Sequence, residues 1–322
     1  MFVSDNTKAI LLLTDSLKNP RDENKVKLLT PKEYHQFAVY LHSIRKQPED
    51  LLTSDLDNIL KDYPKLERVR IHRLLDRGFL LSQTLDYWYT RNLWVVSRAD
   101  KNYPRRFKSR LAENAPPVLY GCGDVGLLNR AGGLAIVGSR DIDDDLINYT
   151  MQVACLAAQA GCMVVSGGAK GADQAAMRGA LDAGGVVCGV LADNLERAAL
   201  NAENRLVLQE DRLVLVSACH PKSRFLVGNA MQRNKYIYAL SDAGLVINSD
   251  FNKGGTWAGV VEQLDKYQNI PIYVRSTGMR TKGLDALLAK GASLWPNLGV
   301  NHFLDIFHLS SRQNVGNLEL FS

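Results

Sequence analysis

The sequence lacks the short motifs that mark common catalytic, metal and nucleotide sites. Its five cysteines include no CxxC pair and its six histidines are scattered, so no zinc site, HExxH motif or Ser–His–Asp arrangement can be assembled. Neither a complete Walker A motif nor a complete GxGxxG motif is present. We therefore predict a protein without catalytic residues, metal or cofactor.

Long apolar runs are also missing. No stretch approaches the roughly 20 apolar residues that a membrane-spanning helix needs, and the apolar segment AILLL near the N-terminus is too short for a signal peptide. Four of the five cysteines lie in apolar surroundings, which is typical of small buried residues in a reducing compartment. We expect a cytoplasmic protein with no membrane partner.

Charge is mildly positive and unevenly placed. The 322 residues include 39 Lys and Arg against 34 Asp and Glu, a net charge of +5, and the 46% of hydrophobic residues is enough to build a core. Residues 101–110 and 222–235 each carry several basic side chains and no acidic one. One such cluster is compatible with a solvated loop, but two clusters that flank one candidate site favour an anionic partner.

Residues 1–91 have the pattern of a small helical domain. The segment TPKE at positions 30–33 has the features of a helix start, with Thr30 as the N-cap and Glu33 three residues on. Residues 51–78 predict two short helices that end at a glycine. Two roles remain open for this domain: packing or partner contact, and contact with a DNA backbone.

From residue 92 the pattern changes to strands that alternate with helices. Residues 92–130 predict two short strands punctuated by prolines, and apolar runs then alternate with helical segments as far as residue 274. This alternation predicts an α/β fold with a Rossmann-like, doubly wound and mostly parallel sheet over residues 131–292. Residues 297–322 predict a short C-terminal tail.

Glycine, hydroxyl and basic residues collect where the predicted strands end. In open parallel sheets, ligands bind at the carboxyl ends of the strands, near the reversal in strand order. Glycine lets the backbone approach a ligand closely, and N–H groups at the start of the next helix point at an anion. The residues that predict a phosphate site are Gly138, Ser139, Arg140, Ser166, Gly167, Gly168, Lys170, Gly171, Asp173, Arg233, Asn234, Lys235, Lys253, Gly254, Gly255 and Thr256.

Each of these segments also has a simpler structural interpretation. A Gly-Ser pair after a strand is usually a turn, and Asp173 is placed to cap backbone N–H groups. The acidic run at 141–145 is best explained as a cap of the first helix of the sheet domain, and Glu262 as a surface carboxylate. Four such segments at one edge of a sheet nevertheless favour a phosphate site.

The order of these motifs resembles the DprA/Smf family of DNA-processing proteins. AIVGSR, VVSGGAKGADQAAMRGAL, the Arg-Asn pair in QRNKYIYALSDAGLVI and GGTWAGVVEQL follow one another as in that family, and the similarity extends over residues 92–296. The resemblance implies an extended Rossmann fold, a homodimer and single-stranded DNA as the partner. It also implies that residues 138–140, the loop from Ser166 to Asp173 and the pair Arg233-Asn234 bind phosphate.

The chain departs from the family pattern at several points. Met177 stands where the family usually has His, the usual Ser-Gly-Thr is replaced at 253–256, and no C-terminal winged helix is expected. Better-known members load the recombinase RecA on DNA, and divergent relatives occur in phage-defence and toxin–antitoxin loci. A recombinase or a neighbouring toxin or effector protein is therefore a candidate partner.

Three functions are compatible with the sequence. The first is non-catalytic binding of single-stranded DNA, with Tyr236, Tyr238 or Trp257 stacking on bases. The second is hydrolysis of an N-glycosidic bond by Glu262, because GGTWAGVVEQL also resembles a stretch of the LOG-type nucleotide phosphoribohydrolases. The third is the sensing of a small nucleotide. The order of the motifs favours the first.

Overall fold

A computed structural model describes residues 3–17, 26–53 and 55–308 of the chain. The chain divides into two compact units. Unit 1 comprises residues 1–103 and 112–121, and unit 2 comprises residues 104–111 and 122–322. The two short strands predicted after residue 92 are therefore described with unit 1, and the strands of the doubly wound sheet with unit 2.

Within its described residues, unit 1 is helical apart from one antiparallel pair of strands, in which Trp94 lies opposite Gly121 and Ser97 opposite Val118. Its core is built from apolar side chains such as Phe37 and Leu41, which recur at helical spacing and are almost fully buried. The elements are α1 (Asp5–Thr14), α2 (Pro31–Ser43), α3 (Leu56–Lys61), α4 (Arg68–Leu75), α5 (Gly78–Tyr89), β1 (Trp94–Ser97) and β2 (Val118–Cys122).

The start of α2 has the capping box that the sequence predicts. The Thr30 hydroxyl accepts the N–H of Glu33 at 3.2 Å, and the Glu33 carboxylate accepts the N–H of Thr30 at 2.7 Å. Arg70 of α4 donates to the same carboxylate at 2.8 Å, so the helix start is tied to a second helix. The two short helices predicted over residues 51–78 are α3 and α4, and a further helix, α5, begins at Gly78.

Unit 2 contains a parallel sheet whose strands, except the two-residue strand at Ser293–Leu294, are buried along their whole length or nearly so. Continuous apolar runs such as LVLVS form these strands because helices cover both faces of the sheet. The strands are β3 (Gly133–Val137), β4 (Met163–Ser166), β5 (Val187–Leu191), β6 (Leu213–Ser217), β7 (Ala243–Val246), β8 (Ile272–Val274) and β9 (Ser293–Leu294). Their order in the sheet is β6-β5-β4-β3-β7-β8-β9, and the neighbouring strands pair in parallel.

The strand order reverses between β3 and β7, so the sheet is doubly wound. The α-helices of unit 2 are α6 (Arg105–Leu111), α7 (Asp144–Gln159), α8 (Ala172–Asp182), α9 (Leu195–Leu200), α10 (Ala202–Gln209), α11 (Val227–Ala239), α12 (Gly254–Glu262) and α13 (Lys282–Ala289). α7 packs against α8, and α11 packs against α12. A π-helical turn at Gln263–Tyr267 continues α12.

The structure confirms the predicted α/β fold with a mostly parallel, doubly wound sheet that follows a helical region. Three features were not predicted: α6 between the two strands of residues 92–130, α9 and α10 in the connection between β5 and β6, and the short strand β9. Within the predicted tail, residues 300–307 form a 3-10 helix, and residues 309–322 lie outside the described part of the chain. Among the described residues, no helix combines the length and the apolarity needed to cross a bilayer.

Candidate phosphate-binding site

The reversal in strand order brings the ends of β3 and β7 side by side. The two strands pair in parallel as far as Val137 opposite Val246. Thr256, in the first turn of α12, donates a hydrogen bond from its hydroxyl to the carbonyl oxygen of Gly138 at 2.8 Å. Residues 138–140 and 253–256 therefore meet at the carboxyl edge of the sheet.

The loop after β4 closes on the same point. The N–H of Ala172 donates to the carbonyl oxygen of Ser139 at 3.3 Å, and Gly171 precedes it with a φ of 85°. A Cβ atom at Gly171 would lie 2.6 Å from the carbonyl oxygens of Ser139 and Arg140, so only glycine allows this approach. Residues 138–140, 167–171 and 253–256 thus form one continuous surface, which we call the rim.

A buried ion pair connects the loops that carry the rim. Nη1 of Arg233 lies 3.8 Å from Oδ2 of Asp173 and donates to the carbonyl oxygen of Val190 in β5 at 3.0 Å. The Asp173 carboxylate also accepts backbone N–H groups from the loops after β3 and β4. Burial raises the pKa of Asp173, and the Arg233 guanidinium and these N–H groups oppose that rise. The pair therefore connects β5 and α11 with both loops.

Arg233 also explains the glycine at position 167. A Cβ atom on Gly167 would lie 1.5 Å from Nη1 of Arg233, so the guanidinium needs a residue without a side chain there. Among the described residues, Nε of Arg233 has no hydrogen-bond partner. The guanidinium is thus enclosed within unit 2, although the sequence places it among the residues predicted to contact phosphate.

Other predicted site residues are buried as well. The Ser166 hydroxyl donates to the carbonyl oxygen of Ile136 at 2.6 Å, and Nζ of Lys235 donates to Oε1 of Gln232 at 2.5 Å. Burial lowers the pKa of Lys235. The predicted site residues that the structure buries are Ser166, Gly167, Asp173, Arg233 and Lys235.

The remaining predicted residues reach the solvent at the rim or beside it. Asn234 lies next to α12, where its side-chain N–H donates to the carbonyl oxygen of Gly255 at 2.8 Å. The half-buried residues are Gly138, Ser139, Gly168, Gly171, Asn234 and Thr256. The exposed residues are Arg140, Lys170, Lys253, Gly254 and Gly255.

The helices that start at the rim leave their first N–H groups without a side-chain cap. Within the described residues, the N-cap positions of α8, α11 and α12 make no side-chain hydrogen bond to their helix. α7 and α13 begin at the same edge but are capped by Asp143 and Thr281. In α8 the N–H groups of Ala172 and Gln174 already donate to the carbonyl oxygens of Ser139 and Ala169. The uncapped start of α12 combines first-turn N–H donors with the positive end of the helix dipole, so the rim is suited to anions there.

The aromatic residues predicted to stack on bases do not reach the solvent. Tyr236, Tyr238 and Trp257 are 8%, 2% and 8% exposed, because they pack in the core of unit 2. Phe225 is exposed instead, and its ring centroid lies 5.0 Å from the guanidinium carbon of Arg140. The sequence could have indicated Phe225, because the apolar run FLV lies within segment 222–235, which has basic but no acidic side chains.

Two arginines of the first basic cluster, residues 101–110, lie at the other edge of the sheet. Arg106 and Arg110 of α6 bind the carboxylate of Asp242 at 2.9 Å and 3.0 Å, and Asp242 directly precedes β7. The prediction that segments 101–110 and 222–235 flank one site is therefore wrong for these two arginines. Within the described residues, no group of three His, Cys, Asp or Glu is placed to hold a metal ion.

Most of the chain matches one known protein family. The model of the family described as DNA recombination-mediator protein A matches residues 94–305. The chain belongs to this family. The match to the recombination-mediator family covers β1 to β9, so the three loops of the rim and the strands that precede them lie within it. No curated protein matches the chain significantly.

Two solved structures of DNA processing protein A are similar to the chain. The protein from Streptococcus pneumoniae is 18% identical, with a TM-score of 0.67, and the match covers 92% of this chain and 95% of that one. The protein from Helicobacter pylori is 23% identical, with a TM-score of 0.52, and the match covers 69% and 96%. The H. pylori structure was described for its single-stranded DNA binding mode. At these identities the similarity establishes the fold.

Proposed function

We infer that the rim binds the sugar–phosphate backbone of single-stranded DNA and that the protein catalyses no reaction there. The observation that carries this proposal is the convergence of three loops and uncapped helix starts at the reversal in strand order. Such donors bind phosphate without reading sequence, so the expected binding is independent of sequence. Membership of the recombination-mediator family and the DNA binding of the H. pylori relative support single-stranded DNA as the ligand.

Exposed cations strengthen the rim for a polyanion. Arg140, Lys170 and Lys253 extend from the loops after β3, β4 and β7, and each is exposed. Long basic side chains can follow the phosphates of a flexible strand, while the backbone N–H groups fix one phosphate position. The buried pair Asp173–Arg233 maintains the loop geometry in this proposal and makes no contact with DNA.

The position of Glu262 supports a non-catalytic role. Glu262 lies eight residues after Gly254 in α12, which places it about 12 Å along the helix axis from the rim. Its carboxylate lies 3.9 Å from Nζ of Lys266. A carboxylate so far from the phosphate position does not reach the glycosidic bond of a nucleotide held there, which disfavours the phosphoribohydrolase hypothesis.

Substitution of exposed cations tests the proposal. We expect Arg140→Ala and Lys170→Ala each to weaken binding of oligo-dT in fluorescence anisotropy, with the double variant weaker than either. Each lost phosphate contact should reduce the slope of log affinity against log salt by about 0.7. Arg178→Ala is the matched control, because Arg178 is an exposed arginine of α8 that lies 3.6 Å from Asp182 and outside the rim.

Two results would contradict the proposal. The first is binding of oligo-dT by the double variant with unchanged affinity and unchanged salt dependence, at a preserved melting temperature. The second is binding of a small nucleotide, measured by calorimetry, that excludes oligo-dT from the same site.

Family membership also leads us to propose a homodimer and a protein partner such as a recombinase. Sedimentation at several protein concentrations would test the homodimer.

A further inference from the structure

The connection between β5 and β6 carries a second surface of unit 2. The N–H of Asn194, just before α9, donates to the carbonyl oxygen of Ser223 at 2.9 Å. The N–H of Glu196 donates to the carbonyl oxygen of Pro221 at 3.1 Å, so α9 is fixed to the loop after β6. A cavity of about 470 Å³ is lined by these two segments, and among its lining residues are Glu196, Arg197, Leu200, Pro221 and Lys222.

Apolar side chains of α9 and α10 are exposed to solvent. Leu200, at the end of α9, is 52% exposed, and Leu206 in α10 is 66% exposed. All residues of α10 are described and none of them is buried, although the helix contains the run Leu206–Leu208. Water contact with apolar surface is unfavourable, so an apolar helix that no part of the described chain covers indicates a contact surface.

The charges at the cavity favour an acidic occupant. Arg197 is exposed, and among the described residues it forms no ion pair. Nζ of Lys222 lies 3.9 Å from Oε2 of Glu196, so these two lining charges oppose each other. The positive charge of Arg197 therefore remains available to a carboxylate, which its guanidinium can bind through two parallel hydrogen bonds.

The same residues favour a peptide over a nucleic acid. Leu200 and Leu206 offer no ring on which a base could stack. Glu196 places a negative charge in the lining, where it would repel the phosphates of a strand that entered the cavity. A peptide segment that carries both acidic and apolar side chains can pair with Arg197 and cover the leucines.

We propose that α9, α10 and the loop after β6 form a docking surface for an acidic, apolar segment of a partner protein. The inference goes beyond the proposed function and does not require DNA. α9 and the loop after β6 follow the carboxyl ends of their strands, and β5 pairs with β4, whose following loop belongs to the rim. A docked segment would therefore lie at the same edge of the sheet as the rim.

Peptide probes test the charge and the apolar contact separately. The probe is a fluorescein-labelled peptide of sequence LLEELLEE, compared with the same peptide carrying glutamine in place of every glutamate. Binding to the full chain is measured by fluorescence anisotropy, and the acidic peptide should bind more tightly. Arg197→Glu and Leu200→Asp should each weaken its binding by about 10-fold or more, because each removes one of the two proposed contacts.

Arg178→Glu and Leu304→Asp are the matched controls. Arg178 is exposed in α8, and Leu304 is 51% exposed within the 3-10 helix at residues 300–307. Their substitution makes the same chemical changes away from the cavity and should leave binding of the acidic peptide unchanged. Melting curves should show that Arg197→Glu and Leu200→Asp remain folded, because both side chains are exposed.

The outcomes separate this inference from the proposed function. Equal affinity for the two peptides, no binding of the acidic peptide at about 1 mM, or unchanged binding by both Arg197→Glu and Leu200→Asp would overturn the docking surface. Displacement of the peptide by oligo-dT, with Arg197→Glu weakening oligo-dT as strongly as Arg140→Ala does, would assign the surface to nucleic acid and overturn it too. Loss of oligo-dT binding with peptide binding intact would overturn only the proposed function.

Discussion

Arg140 and Arg233 show how one residue type takes two roles at the same edge of a sheet. Both arginines lie in sequence motifs that predict phosphate contact. Arg140 is exposed on the rim, whereas the Arg233 side chain is buried and only 7% exposed. Arg233 carries its charge into the interior only because Asp173 and the Val190 carbonyl receive it. The sequence could indicate that both arginines matter, but only the packing around each could separate binding from support.

The difference between these arginines leads to a stability prediction. Arg233→Ala removes the partner of the buried Asp173 carboxylate, so we expect the free energy of unfolding to fall by about 3 to 5 kcal/mol. Arg140→Ala should change it by less than about 0.5 kcal/mol, because the side chain is exposed. Urea denaturation of the two variants measures both values. Equal stability of the two variants would show that the ion pair does not support the loops.

At the scale of elements, the prediction succeeded where apolar runs were long and failed where they were short. Runs such as LAIV and LVLVS predict buried strands, and the structure has β3 and β6 there. Helices as short as α9 and α10, with six and eight residues, are not stable alone, so their formation depends on surrounding contacts. α3 and α4 have the same lengths and were predicted, so length alone does not explain why α9 and α10 were missed.

α11 explains why the sequence could not predict which of the candidate residues are exposed. Its first turns are exposed at the carboxyl edge, whereas the later turns, from Arg233 to Ala239, are mostly buried on all sides. Arg233 and Lys235, the two basic residues of α11, lie in its buried half. Which turn of a helix reaches the edge depends on the lengths of the preceding loop and strand, and these are not visible in the residues of the helix.

The start of α2 supports a prediction about pH. The bond from Arg70, with the N–H of Thr30, lowers the pKa of Glu33 from 4.5 to about 2. A carboxyl whose pKa is lower in the folded state stabilises the fold above its unfolded pKa and loses that contribution as the pH falls through the folded pKa. We therefore expect unit 1 to lose stability between about pH 4.5 and about pH 2.

Glu33→Gln tests this assignment. The variant should be less stable than the wild type near neutral pH, and the difference in melting temperature should shrink as the pH approaches 2. Glu113→Gln, at an exposed glutamate of unit 1, is the matched control and should leave the pH dependence of melting unchanged. A constant difference between Glu33→Gln and wild type across the whole range would exclude the ionised carboxylate as the cause.

For the whole molecule, the sequence predicted the fold class, and it placed the candidate phosphate residues at one edge of the sheet. Both follow from patterns that span many residues, namely the alternation of strands with helices and the glycine motifs at strand ends. The net charge of +5 was a weaker guide, because Arg106 and Arg110 of the first basic cluster are bound to Asp242 at the amino edge. Charge counted along the sequence becomes informative only when the fold shows which cations share a surface.

The cations that remain exposed lead to a prediction for the purified protein. Arg140, Lys170 and Lys253 lie on the rim and are exposed, and a polyanion that contacts them releases its counterions. Protein prepared at low salt should therefore retain nucleic acid, seen as a raised ratio of nucleic-acid to protein absorbance, and a high-salt wash should return that ratio to the value for protein alone. Arg140→Ala/Lys170→Ala should retain less before the wash, and Arg178→Ala as much as wild type. Retention that withstands high salt, or that is unchanged in the double variant, would mean that the rim cations do not hold the nucleic acid.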